Sequence, residues 1–192
     1  MMVDVLGFFL SNVFLAALVG FFSSLFCYLF LFRFKPKIVI SNEIARGKDL
    51  YGERTYFRIK VINLTKHPVI DINAQLHIVK SYLVDGKEIY NTQQVKLVRN
   101  NPLVIGKFSK KDEEANYAYR FVTEVDISKL LENPEVKALR FRMLCKNGFS
   151  NFGAFFQKDF TQDSIKEGDF EKGYSFEIKG RDPIQTTKEM GQ

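Results

Sequence analysis

The stretch that decides the fold is residues 69–80, which read VIDINAQLHIVK. Apolar side chains occupy alternate positions through most of it, and the positions between them carry Asp71, Asn73, Gln75 and His77. Successive side chains of a β-strand point to opposite faces, so this alternation is typical of an antiparallel strand with one buried face and one polar face. We expect Ile70, Ile72, Ala74, Leu76 and Ile78 to face the core.

Two further stretches, residues 56–63 and 138–146, alternate in the same way. The residues predicted to point inward are Phe57, Ile59, Val61, Leu139, Phe141, Met143 and Cys145. The residues predicted to point outward are Arg58, Lys60, Arg140 and Arg142.

Further strands are predicted at 38–41, 87–98, 102–108, 117–125, 152–161 and 173–179. One short helix is predicted at 126–133, with Asp126 or Ser128 as its cap. Many short strands separated by turns favour an all-β fold, either an immunoglobulin-like β-sandwich or a small barrel of about seven to nine antiparallel strands.

The N-terminal part of the chain has a different character. Residues 5–32 contain no charged side chain, and a bilayer core needs about 20 apolar residues in helical form. A secretory signal peptide is the alternative, but it begins with basic residues and has a shorter apolar core. We therefore predict an uncleaved transmembrane anchor at 1–34, a cytoplasmic β-sandwich domain at 35–180 and a disordered polar tail at 181–192.

Basic residues are concentrated directly after the anchor. The chain carries a formal net charge of +6, and Arg33, Lys35 and Lys37 follow the apolar segment while no Lys or Arg precedes it. The positive-inside rule then places the N-terminus outside and the domain in the cytoplasm, at the inner (plasma) membrane. Contact of these residues with anionic lipid headgroups explains the charge without a nucleic-acid polymer as partner. A domain exported as an envelope protein is the alternative if the orientation is reversed.

One face of the predicted anchor carries small and polar residues at every fourth position, namely Asn12, Ala16, Gly20 and Ser24. Small residues at this spacing let two helix backbones approach closely, and an Asn can hydrogen-bond across the contact. The pattern favours a self-associating helix and a homo-oligomer. The alternative is a chance pattern, because small residues are common in membrane helices.

The sequence contains none of the common nucleotide-loop, metalloprotease or nucleophile-elbow motifs. We therefore predict a non-enzymatic protein without a cofactor or metal site. Cys27 lies in the apolar segment and Cys145 in a predicted strand, so no disulfide is expected. If strands 56–63, 69–80 and 138–146 share a sheet, a basic patch forms that suits phosphate groups. Its predicted ligand-binding residues are Arg58, Lys60, Gln75, His77, Arg140 and Arg142; the alternative is an ordinary solvated face.

Two stretches resemble the cytoplasmic immunoglobulin-like domain of inward-rectifier potassium channels. The first is FRIKVIN, residues 57–63, followed by the strand at 69–80. The second runs from 139 to 173 and includes Gly153, Gln157, Phe160, Asp163, Ile165 and Gly173, with Phe176 beyond it. The chain has one apolar segment and no Thr-Val-Gly-type filter. The resemblance therefore implies a fold and a tendency to assemble in rings at a membrane, without ion conduction.

The architecture is also similar to that of membrane-anchored β-domain effectors of bacterial antiphage defence. In those effectors, binding of a cyclic nucleotide clusters the membrane segments and breaches the bilayer, although they commonly carry two membrane helices. The leading hypothesis is therefore a membrane-anchored sensor or effector whose domain binds a nucleotide second messenger or a protein. The alternative is a membrane-tethered adaptor or accessory subunit that recruits a protein partner without a small-molecule ligand.

Overall fold

The computed structural model describes residues 2–48 and 54–180, and side chains from residue 12 onward within those ranges. A long helix, α1 (Met2–Phe32), precedes a β-rich domain. The first seven strands are β1 (Ile38–Ile40), β2 (Ile44–Lys48), β3 (Thr55–Asn63), β4 (Val69–Val84), β5 (Lys87–Val95), β6 (Val104–Ile105) and β7 (Ala118–Thr123). Helix α2 (Ile127–Leu131) is followed by β8 (Val136–Asn147), β9 (Gly153–Phe160), a 3-10 turn (Gln162–Ser164), β10 (Ile165–Glu167), β11 (Asp169–Phe170) and β12 (Ile178–Lys179). The predicted disordered tail at 181–192 lies outside the described residues.

Helix α1 is apolar on every side. Side chains from Asn12 to Phe30 are exposed in the single chain, and the segment Asn12–Phe32 is long and apolar enough to cross a membrane. A helix that is apolar all round needs an apolar environment on all sides, which a bilayer supplies. The predicted membrane helix is therefore confirmed as a candidate span, and its orientation stays a prediction.

Most of the predicted strands are confirmed, but the shortest strands of the structure differ from the prediction in length or were not predicted. The stretch at 102–108 contains only β6, and the stretch at 173–179 contains only β12. Strands β2, β10 and β11 were not predicted, because they are two to five residues long and too short to show a clear alternation. The predicted helix is confirmed at α2, where Asp126 accepts a hydrogen bond from the backbone N–H of Lys129 at 3.3 Å.

The strands form two five-stranded sheets and one two-stranded ribbon. In the first sheet β1 and β2 pair with β3 along one edge, β7 pairs with β3 along the other, and β10 pairs with β2 in parallel. The second sheet has the order β5-β4-β8-β9, with β6 beside the first residues of β4. The ribbon consists of β11 and β12.

One cluster of buried side chains joins the two large sheets. It contains the predicted inward residues of β3, β4 and β8, among them Phe57, Leu76 and Met143. The ring of Phe121 from the first sheet lies 5.2 Å from the ring of Phe141 from the second, centroid to centroid. The inward faces predicted from alternation are thus confirmed, except that Ile70 is only half-buried.

The condition for a single basic patch is not met, and one expectation about its residues is wrong. Strand β3 lies in the first sheet, whereas β4 and β8 are neighbours in the second, so the three strands do not share a sheet. Lys60, predicted to point to solvent, has a relative exposure of 1%. The reason is that residues 171–175 lie over this part of β3, where two of their backbone carbonyls bind the Lys60 ammonium.

Candidate functional site

Four of the six predicted ligand-binding residues lie together on the outer face of the second sheet. His77 of β4 is opposite Arg140 of β8, and Gln75 of β4 is opposite Arg142 of β8. We call these four residues the β4–β8 face. The strand register brings them together, because directly opposite side chains of an antiparallel pair lie on the same side of the sheet.

Strand β9 changes the charge of the β4–β8 face. Asp159 lies opposite Arg140 and binds it through two hydrogen bonds, from Nε to Oδ1 at 2.8 Å and from Nη2 to Oδ2 at 2.7 Å. This pairing lowers the pKa of Asp159 and raises the pKa of Arg140. Arg142 donates from Nε to the Gln157 side-chain oxygen at 3.1 Å. Because Asp159 offsets the charge of Arg140, the face is less basic than its sequence indicates.

His77 is a neutral polar group at the centre of the face. Burial lowers its pKa below the ordinary value, and the nearby Arg142 and Arg140 lower it further. Its Nδ1 is buried and has no hydrogen-bond partner among the described residues. A neutral imidazole offers one donor and one acceptor nitrogen. The face therefore presents an imidazole, the amide of Gln75 and the remaining guanidinium donors of Arg142.

The other two predicted ligand residues hold a loop in place. The Lys60 ammonium donates to the backbone carbonyls of Glu171 and Ser175, each at 2.6 Å. Arg120 donates from Nη2 to the carbonyl of Phe170 at 2.7 Å. Burial and, to a smaller extent, the nearby Arg120 lower the pKa of Lys60 to about 8, against the opposing charges of Glu171 and Asp169.

Arg58 lies on the same side of β3 as Lys60 and contacts the same segment of the chain. Its Nε lies 3.8 Å from the Asp169 carboxylate. Arg58 and Lys60 are thus separated from the β4–β8 face by the core between the two sheets. Their contacts stabilise the segment that contains β11 and β12.

The end of α1 packs against two loops of the domain through aromatic rings. Phe34 lies 5.0 Å from Phe149 and 5.4 Å from His67, and His67 stacks on Phe149 at 4.9 Å, centroid to centroid. One turn further into the helix, Tyr28 and Phe32 lie 5.8 Å and 6.0 Å from the ring of Phe152. We call this set the aromatic junction; it consists of Tyr28, Phe32, Phe34, His67, Phe149 and Phe152.

Backbone contacts add to the aromatic junction. The Ser150 hydroxyl donates to the carbonyl of Phe34 at 2.9 Å, and the backbone N–H of Leu64 donates to the carbonyl of Lys37 at 2.8 Å. Pro36 between them is buried. The residues that connect α1 to β1 are therefore held against the domain on both sides.

Sequence reasoning missed the aromatic junction. Its signal is the pair Phe149 and Phe152 in the turn GFSNFG, residues 148–153, where polar residues are usual. Rings in a turn between two strands indicate packing against a segment outside the sheet. The partner segment, however, is distant along the chain and only the fold brings it near.

The predicted membrane-surface residues surround the end of α1. Arg33 and Lys37 are exposed, and the Lys35 ammonium lies 3.4 Å from the centroid of the Phe32 ring. A cation above an aromatic face is attracted by the ring quadrupole. This basic group therefore lies at the level where the apolar helix ends.

The residues predicted to mediate helix association are all exposed along α1: Asn12, Ala16, Gly20 and Ser24. The Ser24 hydroxyl donates to the carbonyl of Gly20 within the helix, at 2.9 Å. A Cβ atom added at Gly20 would meet no atom within 4 Å. Packing within the single chain therefore does not require a glycine at position 20.

Cysteine and metal chemistry add no further site in the described chain. Cys27 and Cys145 are both free, and burial raises the pKa of Cys145 to about 12. Among residues 2–48 and 54–180, no group of three His, Cys, Asp or Glu side chains is placed to hold a metal ion.

No model of a known family matches the chain, and a comparison with curated proteins gave no match either. Among solved structures, the chain is similar to Spo0M, a sporulation control protein from Bacillus subtilis, with a TM-score of 0.38 and 10% sequence identity. The match covers 69% of this chain and 49% of that chain, so this chain spans about half the length of its match. A TM-score this low assigns neither a fold nor a function.

The fold and the junction define a class of protein in structural terms. It is a mostly β domain preceded by one N-terminal helix that is apolar enough to span a membrane. The helix is packed onto the domain through the aromatic junction.

Proposed function

We propose that the protein is a non-enzymatic, single-pass membrane-anchored sensor or effector. Its domain recognises a ligand or a protein, and its helix self-associates in the bilayer. The observation that carries the proposal is the aromatic junction. Because Phe34 packs against the loops at His67 and Phe149, a displacement of the domain also displaces α1. A helix that acted only as a membrane anchor would not require this packing against the domain.

The proposed domain fold is an immunoglobulin-like sandwich, as in the cytoplasmic domain of inward-rectifier channels. The core cluster shared by the two five-stranded sheets supports it. The proposed orientation places this domain in the cytoplasm, with the N-terminus outside. The basic residues Arg33, Lys35 and Lys37 at the domain side of α1 support this orientation.

The proposed ligand carries phosphate, and a nucleotide second messenger fits the chemistry of the β4–β8 face. Arg142 supplies charge, while Gln75 and the neutral His77 supply hydrogen bonds to a base or sugar. Ligand-driven clustering of the helices that disrupts the membrane would match an antiviral effector. Cyclic dinucleotides titrated onto the full-length protein in nanodiscs test this part, and Arg142→Gln is expected to weaken binding. The matched control is Arg99→Gln, since Arg99 is an exposed arginine outside this sheet.

The native cysteines allow a direct test of helix association. Cys27 lies seven residues after Gly20 and therefore on the same face of α1, whereas Cys145 is buried and unreactive. Mild oxidation of the full-length protein in liposomes is expected to give a Cys27–Cys27 disulfide dimer. Gly20→Ile is expected to lower the dimer yield, because the larger side chain separates the helices. Val19→Ile adds bulk one position away, on another face, and serves as the matched control.

The same readout tests whether the junction couples the domain to the helix. Phe34→Ala loosens the aromatic junction and is expected to change the yield of the Cys27 dimer. Phe155→Ala removes an exposed ring on β9 and is expected to leave the yield unchanged. Equal dimer yields in wild type, Gly20→Ile and Phe34→Ala would contradict both self-association and coupling.

A membrane-tethered adaptor is the second candidate, and the β4–β5 hairpin favours it. Asp85 and Gly86 both adopt positive φ in its turn, as a tight two-residue hairpin requires. Leu83 is 80% exposed near the tip, and β5 is exposed from Lys87 to Gln94 with one edge unpaired among the described strands. An exposed edge of this kind accepts an additional strand from a partner.

Two measurements separate the candidates. Leu83→Lys is expected to abolish partner capture by an adaptor and to leave the Cys27 dimer of an effector unchanged. Topology is tested by labelling an introduced cysteine, Lys129→Cys, with an impermeant maleimide in intact cells. Labelling only after the membrane is opened supports the cytoplasmic orientation, and labelling of intact cells contradicts it.

A further inference from the structure

A cleft of about 260 Å³ lies between the end of α1 and the loop that joins β3 to β4. Four cationic residues line it: Arg33, Lys35, Lys37 and Lys66. Phe34, Leu64, Thr65, His67 and Asn147 complete the wall, and no acidic residue of the described chain lines the cleft. The first three cations belong to the segment after the helix, whereas Lys66 and His67 lie in the loop between β3 and β4 and Asn147 is the last residue of β8. The fold thus concentrates positive charge that is dispersed in the sequence.

Asn147 provides an independent sign of a ligand. Its side chain is fully buried, and its Oδ1 accepts hydrogen bonds from the backbone N–H groups of Phe149 at 2.9 Å and Ser150 at 3.2 Å. These bonds determine which end of the amide is the oxygen. The Nδ2 group is then left as a donor, and it has no hydrogen-bond partner among the described residues. A buried donor without an acceptor is unfavourable, so the site favours an added acceptor.

We propose that this cleft binds the phosphate group of an anionic lipid headgroup. Phosphate oxygens accept hydrogen bonds from ammonium and amide donors, and the lining of cationic residues around Asn147 supplies both kinds. Arg33, Lys35 and Lys37 alone would be the ordinary basic flank of a membrane helix. Lys66 and Asn147 add a cation and an amide donor from the folded domain. The inference rests on the proposed membrane anchoring, and it is independent of any ligand on the β4–β8 face.

The position of the cleft identifies the source of the phosphate. Arg33 follows Phe32, the last residue of α1, so the cleft begins where the apolar segment ends. Leu64 in its wall and Phe149 beside His67 are both exposed apolar residues. Apolar and aromatic side chains next to cations are typical of the membrane interface. A free phosphate ion shares the headgroup's chemistry but makes no use of these apolar contacts.

The test uses full-length protein in nanodiscs of mixed phosphatidylglycerol and phosphatidylcholine. Native mass spectrometry of the released protein counts the lipids that it retains. Wild type is expected to retain phosphatidylglycerol preferentially, and Lys66→Gln is expected to lower this preference about fivefold. Asn147→Asp keeps the acceptor for both loop N–H groups, replaces the donor by a carboxylate and is expected to lower it at least as much. Lys129→Gln, at an exposed lysine on α2, is the matched control and is expected to leave the preference unchanged.

Three outcomes overturn the proposal in distinguishable ways. Equal retention of both lipids by wild type removes the site, and Lys66→Gln decides the matter even if Asn147→Asp does not fold. Stabilisation of the detergent-solubilised protein by inorganic phosphate as strong as that by short-chain phosphatidylglycerol shows that the source is the free ion. Release of the protein from liposomes by an alkaline wash contradicts the membrane anchoring itself. Retention in the membrane without lipid preference contradicts the cleft alone.

Discussion

The buried ammonium of Lys60 should make the protein more stable as the pH rises above neutrality. Its pKa falls from an ordinary value of 10.5 to about 8 in the folded state. Between these two values the unfolded chain binds a proton that the folded chain does not, so the free energy of unfolding increases with pH. A shift of this size corresponds to about 3.4 kcal/mol over the whole range. Between pH 7 and pH 9.5 the expected gain is about 2 kcal/mol.

The sign is opposite to that of a lysine in a surface ion pair. Below pH 8 both states carry the proton, and the folded state bears the full cost of burying the charge beside Arg120. The carbonyls of Glu171 and Ser175 offset part of this cost through their hydrogen bonds. Above pH 8 the amine becomes neutral and still donates to a carbonyl. Stability therefore increases until the unfolded lysine also titrates.

The measurement is urea unfolding of the full-length protein in detergent at several pH values between 7 and 9.5. The chain contains no Trp, so near-ultraviolet circular dichroism of the tyrosines reports the tertiary structure. Lys60→Met keeps the apolar stem and removes the titrating group. Between pH 7 and pH 9.5 the unfolding free energy of this variant should therefore rise by about 2 kcal/mol less than that of wild type. Lys129→Met removes a side chain that is 79% exposed and controls for the general change in charge.

Other groups also titrate in this pH range, and the comparison between variants removes their effect. Parallel pH profiles for wild type and Lys60→Met would refute the reasoning about the buried ammonium. Lys60→Gln keeps a donor for the carbonyls and is the second variant if Lys60→Met does not fold. A rise in the unfolding free energy that is smaller in Lys60→Gln than in wild type by about 2 kcal/mol supports the same conclusion.

The remaining predictions concern the core, the helix cap and the buried thiol. Phe141→Ala should lower the free energy of unfolding by about 3–5 kcal/mol in urea titrations, whereas Phe155→Ala, at an exposed ring, should change it little; equal effects would contradict the assigned core. Asp126→Ala removes the cap of α2 and should lower the free energy of unfolding by about 1 kcal/mol in the same titration. Asp126→Asn keeps a capping oxygen and should retain most of that stability. Burial raises the pKa of Cys145 to about 12, so in a Cys27→Ser variant, where Cys145 is the one remaining thiol, a maleimide should label the protein only after unfolding; labelling of this folded variant at pH 7 would contradict the placement of Cys145.

Part of the candidate site is predictable from the sequence. Alternation placed Gln75 and His77 on one face of β4, and Arg140 and Arg142 on one face of β8. The charge pattern after the apolar segment also marked Arg33, Lys35 and Lys37, three of the residues that line the cleft at the end of α1. What alternation leaves open is which strands are neighbours. The pairing of Arg140 with Asp159 depends on that neighbourhood, and it changes the charge of the face.

The sequence by itself determined the apolar helix, the long strands and their inward faces, because these follow from local composition and from the period of two along a strand. Only the tertiary structure decided that β3 belongs to a different sheet from β4 and β8 and that Lys60 is buried. The contacts responsible are hydrogen bonds to backbone carbonyls of residues 171 and 175. Every residue carries such a carbonyl, so no side-chain pattern marks it in advance. The aromatic junction and the cleft likewise arise where distant loops meet the end of α1, and that meeting is a property of the folded chain alone.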